Sequence, residues 1–156
     1  MLVKNCLWVF FISMVPIIEL RGAIPVGFAL EIPLWLNYVL CLVGNFLPVP
    51  FILLFIRKIL SWMKNVKHLD KIALWLEEKA KKHSDKVMKG VASGLFLFVA
   101  IPLPGTGAWT GALVASLFNM RMRYALPAIF LGIVTAGIIM SLLSYGLVGG
   151  IFEIFA

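Results

Sequence analysis

Pro16-Ile17-Ile18-Glu19-Leu20-Arg21-Gly22-Ala23-Ile24-Pro25 sets an acid, a base, a glycine and two prolines in the middle of an apolar run. Hydrocarbon tolerates neither a bare charge nor an unpaired backbone group. The glycine and prolines break the helix, and the charges sit at the break. A broken, charged element at membrane depth is buried against protein or lines a polar cavity. This stretch therefore bears on both the fold and the site.

The rest of the 156-residue chain puts that break in a membrane: 62% of residues are hydrophobic and only 13% charged. A soluble domain of this length would not cover so much apolar surface. The N-terminal run lacks a basic segment followed by a small-residue cleavage site, so it reads as part of the mature protein. Cys6 and Cys41 lie far apart with no histidine or second cysteine beside either. They read as small embedded side chains, and no metal or cofactor is expected. The net charge of +7 is concentrated in one connector, which fits a cytoplasmic leaflet rather than nucleic acid.

Arm lengths decide how the breaks are used. A span needs about 20 apolar residues to cross roughly 30 Å of hydrocarbon. The uncharged stretches 32–56 and 124–152 qualify. The arms Asn5–Ile18 and Gly22–Leu30 do not, and nor do 90–101 and 107–120, which flank a second break at Pro102-Leu103-Pro104-Gly105-Thr106-Gly107. Two re-entrant hairpins solve this, each entering and leaving on one side. Kinked single crossings are the rival. Hairpins place the connector 57–89, with ten of the fourteen Lys and Arg, on the same side as Arg121 and Arg123, as the positive-inside bias prefers.

A shift of 86 residues lays Pro16 on Pro102 and Tyr38 on Tyr124, so each half is a broken element, a turn and a long span. One crossing per half inverts the second half relative to the first, a recurring transporter plan. The expected fold is thus an all-α integral membrane protein built as an inverted repeat. The first repeat is 1–58 with its tip at 16–25, and the second is 90–156 with its tip at 101–111. Residues 59–89 form a cytoplasmic connector, with both termini on the opposite side of the cell membrane. Within the connector, Leu69, Ile72, Ala73, Leu76 and Ala80 recur at helical spacing, predicting a basic amphipathic helix resting on anionic lipid. His68 and His83 sit on its solvated face.

Glu19 and Arg21 are two apart and would project to the same side only in extended backbone. One reading is an internal ion pair that locks the tip. In the other reading each group acts on its own. Arg21 would hold a phosphate or carboxylate, and Glu19 would exchange a proton and couple transport to the proton gradient. The restarting helices would aim their N-termini at the midplane. Pro25 suits a first helical turn, and Thr106 would cap the second restart. Trp109 would stack on a cation or simply pack. Gly105, Gly107 and Gly111 permit a tight turn and close helix approach, Gly22 helps break the first helix, and Pro102 and Pro104 complete the second break. Asn45, near Pro48 and Pro50 in the first span, would line the site or bond within the bundle.

The motif Glu19–Pro25, followed by Pro102-Leu103-Pro104-Gly105-Thr106-Gly107-Ala108-Trp109-Thr110-Gly111, resembles the family of small multidrug export proteins across nearly the whole chain. A more distant resemblance is to the DedA, or VTT-domain, membrane proteins. The first implies export of amphipathic small molecules. The second implies lipid scrambling or polyprenyl-phosphate flipping, with an anionic headgroup as cargo, although the second tip here lacks the extra arginine or acid of DedA-like hairpins. Membrane lipids, protons and a second copy of the chain are the expected partners. No embedded Ser-His, Cys-His or acid pair marks an enzyme.

Overall fold

The computed structural model describes residues 1–63, 85–103 and 105–148. The amphipathic segment 67–86 falls largely outside them, as do Pro104, His68 and His83. Among the described residues every regular element is helical: α1 (Leu2–Met14), α2 (Glu19–Ala29), α3 (Leu34–Phe46), α4 (Pro48–Met63), α5 (Asp85–Ala100), α6 (Ala108–Leu117) and α7 (Met122–Ser141). A π-helical extension follows over Leu142–Val148.

Helices α3 and α4 are one apolar stretch, Leu34–Ile59, in which Leu47 keeps helical dihedrals. The interruption falls where Pro48, without an N–H, forfeits a ladder bond. With its 26 residues, and the 25 of Met122–Gly146, each stretch reaches about 38 Å, enough to cross a bilayer. The 13 residues of α1 reach only about 20 Å.

The two long stretches run antiparallel. Tyr38 meets Val134 and Gly137, Phe46 packs edge-on against Phe130, and Arg57 reaches Met120. Around them α1 packs on α2 and α3, α5 on α7, and α6 on α4 and α7. Small residues make the approach close: Ala108, Ala112 and Ala115 on α6, and Ala125, Gly132 and Ala136 on α7, are buried, as expected where dispersion replaces the hydrophobic drive. Trp35, Phe51, Leu54 and Phe55 are exposed on the outer surface.

Two turns share one geometry. After α2, Ile32 N–H donates to Gly27 at 3.0 Å and Glu31 N–H to Phe28 at 3.0 Å; after α6, Met120 N–H donates to Ala115 at 2.9 Å and Asn119 N–H to Ser116 at 3.0 Å. Both are Schellman motifs, with Glu31 at φ +56° and Asn119 at φ +48° in the left-handed position. Corresponding residues are 88 apart. The first arms correspond at 86: a Cβ on Gly44 would meet the Phe10 carbonyl and Ser13, and one on Gly132 would meet the Phe96 carbonyl and Val99. The second break is therefore two residues longer, and Tyr38 is matched with Leu126 rather than Tyr124. Glutamate is poorly suited to the left-handed region. Glu31→Gly is therefore expected to raise stability by about 1 kcal/mol, read as a higher unfolding temperature in detergent.

Candidate functional site

The first break is short. Val15–Ile18 form the turn and α2 restarts at Glu19, which holds φ +51°. Pro25 is consequently inside α2 rather than in its first turn. The restart comes early because Glu19 N–H finds the Val15 carbonyl at 2.9 Å and Gly22 N–H the Ile18 carbonyl at 2.9 Å, closing helical turns before the proline is reached.

Helix ends leave donors at the start and acceptors at the finish unpaired. At the second break, both sets are met by side chains from the first. The buried Glu19 carboxylate accepts from Trp109 N–H at 3.2 Å and from Ala108 N–H at 3.4 Å, the opening residues of α6. Arg21 donates to four carbonyls at and beyond the end of α5: Val99 at 3.0 Å, Ile101 at 3.1 Å, Leu103 at 2.6 Å, and Thr106. The acid thus sits at the positive end of one helix and the base at the negative end of another. Of the two readings of Glu19 and Arg21, the direct ion pair is not what engages their polar atoms: each bonds backbone groups of the second break.

Thr106 is not the cap. Its hydroxyl turns back to the Ile101 and Leu103 carbonyls, both at 2.9 Å, and Gly107 occupies the N-cap position without a side-chain bond. Glu19 fills that role from 89 residues away. Gly107 has φ +146°, and a Cβ there would fall on the Glu19 carboxyl group; Gly105 turns the chain at φ +82°. Trp109 ties back to the first break, its indole N–H donating to the carbonyl of Met14, the last residue of α1, at 3.1 Å.

A cavity of about 520 Å³ opens where the breaks face each other. Its wall includes Pro16, Ile17, Ile18, Glu19, Arg21 and Gly22 from the first break, and Pro102, Leu103, Gly105, Thr106 and Thr110 from the second, with Met140 of α7. Asn45 is buried away from this wall, its Oδ1 without a hydrogen-bond partner. Trp109 instead borders an apolar groove with Pro48, Phe51 and Phe55. Met140 is a wall residue that sequence alone does not mark, since it carries no signal in an apolar helix, while Thr110 lies within the second motif without a role being read from it. Asn37 does carry one, the same as Asn45, and it is buried in a hydrogen-bonded cluster.

Residues 19–139 match the sequence model of the family described as "Putative small multi-drug export protein". No curated protein and no solved structure matches the chain. Two apolar helices of spanning length and this family match identify a membrane protein.

Proposed function

The chain belongs to the family of small multi-drug export proteins, and from that premise we propose a transporter whose cargo, an amphipathic small molecule, binds between two re-entrant tips. The observation that carries this reading is the cavity bounded by both breaks. Its wall mixes apolar side chains such as Ile17, Leu103 and Met140 with the polar Thr106 and Thr110, as an amphipathic guest requires.

Three features support the re-entrant, inverted plan. Gly44 and Gly132 lie near the middles of the two long stretches, and each is met by the end of a first arm. Leu30, just past α2, shares a groove with Met1, Lys4 and Asn5, so both arms of the first hairpin return to one end. The two Schellman turns, 88 residues apart, sit on antiparallel partners. By the positive-inside bias, the Lys-rich connector would face the cytoplasm and both termini the other side.

Glu19 and Arg21 then act as a latch between tips. Protonation of Glu19 removes the charge that holds the α6 N-terminus, so a proton would loosen the junction and couple its opening to the gradient. The flippase alternative needs Arg21 free to bind phosphate, whereas four carbonyls occupy its guanidinium, which favours small-molecule export.

Proteoliposomes carrying a pH gradient test this with tetraphenylphosphonium uptake. Thr110→Trp, which fills the cavity, is expected to reduce flux about tenfold or more, as blocking a positioned site does, while Glu19→Gln should remove the pH dependence. Undiminished flux with the cavity filled sinks the reading. Headgroup-labelled lipid crossing at a rate that follows the same variants would move the assignment to lipid.

A further inference from the structure

Each long stretch reaches across the molecule at its far end. Arg57 of α4 donates from Nη2 to the carbonyl of Met120, in the turn between α6 and α7. Tyr145, in the extension of α7, donates its hydroxyl to the carbonyl of Ile32, in the turn between α2 and α3, at 2.7 Å. The two donors are 88 residues apart, and so are the two acceptors. That is the spacing which relates the Schellman turns. One contact is made twice, once by each half upon the other.

The two versions differ in chemistry. Tyr145 belongs to a closed cluster: Asn37 Nδ2 donates to the Tyr145 hydroxyl at 2.8 Å and to the Ile24 carbonyl at 2.9 Å, and the Cys41 thiol donates to Asn37 Oδ1 at 3.4 Å. Phe28 packs edge-on against the Tyr145 ring at 4.9 Å. Every polar group named there has a partner. Arg57 is otherwise, since its Nε–H is buried with no hydrogen-bond partner.

We propose that Arg57 and Tyr145 are the two gate residues of a rocking motion between the halves, and that the Arg57 gate opens first. The inference rests on the transport reading above. Antiparallel long stretches carry their C-terminal ends to opposite ends of the bundle, so the two contacts lie at opposite faces. A rigid-body rock that closes one end of such a pair opens the other. Water admitted at Arg57 would pair its buried Nε–H and hydrate its charge. Water admitted at Tyr145 finds a cluster already satisfied, so opening there gains nothing comparable. The face from which residues 64–84 depart is thus the one poised to admit water.

The test uses the protein in proteoliposomes, in a Cys6→Ala/Cys41→Ser background with the half-buried cavity-wall reporter Met140→Cys. A membrane-impermeant thiol reagent is added from one face at a time. Arg57→Met is expected to speed labelling from the α4 face by about tenfold, the population change that one lost hydrogen bond produces. Tyr145→Phe is expected to do so from the opposite face, and Arg57→Lys, which keeps a donor, to fall between wild type and Arg57→Met. Acceleration by both variants from the same face, or by neither in protein that remains monodisperse, overturns the proposal. With Arg57 and Tyr145 both intact, labelling should be faster from the α4 face than from the opposite one, and the reverse overturns the order of opening. Face-specific labelling without tetraphenylphosphonium flux would sink the transport reading while the gates stand.

Discussion

Arg21→Met is expected to lower stability by about 2–3 kcal/mol, the upper range for losing hydrogen bonds to a charged group that is half-buried. The guanidinium serves four carbonyls, those of Val99, Ile101, Leu103 and Thr106. Methionine fills similar volume and donates nothing. Of those carbonyls, the part-buried Val99 and Thr106 groups would retain a desolvation penalty when left bare. Heating the detergent-solubilised protein and following its monodisperse fraction should show a midpoint roughly 10 °C lower. Arg21→Lys separates charge from geometry. An ammonium has three donors for four acceptors and no planar fork, so the lysine variant should recover about half of the loss. Full recovery by lysine would mean that charge alone holds the α5 end.

Gly107→Ala should cost about 3 kcal/mol or more, because strain and collision add at one atom. The residue holds φ +146°, and an added Cβ would lie 2.7 Å from Glu19 Cδ and 2.8 Å from Oε1. The carboxylate would have to retreat from the Trp109 and Ala108 N–H groups. Gly105→Ala provides the control, with φ +82° but open space around the new methyl; it should cost only about 1–2 kcal/mol. The pair Gly107→Ala/Glu19→Ala completes a cycle, and the collision predicts a combined loss smaller than the sum of the singles. Strict additivity of thermal midpoints would show that Gly107 is needed for its backbone alone.

The positions of the breaks were legible because length and charge are carried by the sequence itself. Arms shorter than a bilayer, interrupted by Gly, Pro, Glu and Arg, mark interruption wherever they occur. The two long stretches were equally plain. What the chain did not announce is where the side chains of the first break would go. Their partners are backbone groups at Val99–Trp109, and a carbonyl has no letter in the sequence. Pro25 misled for a related reason: a proline suits a first turn, but hydrogen bonds from Glu19 and Gly22 had already closed the helix upstream. An 86-residue shift lays Tyr38 on Tyr124, whereas the two Schellman turns lie 88 residues apart. Arg57 and Tyr145 stayed hidden because their acceptors, too, are carbonyls, 63 and 113 residues away.

The unlike breaks could not be exchanged. Tip one is a plug that carries Glu19 and Arg21; tip two is a socket of bare helix ends shaped by Gly107. A protein made of the first half twice over would present plug to plug, two acids and two bases confronting helix ends already closed. The second half doubled would present socket to socket, with nothing to fill either. Neither break can stand in for the other: the charged side chains of one and the open helix ends of the other are obligate, non-interchangeable complements.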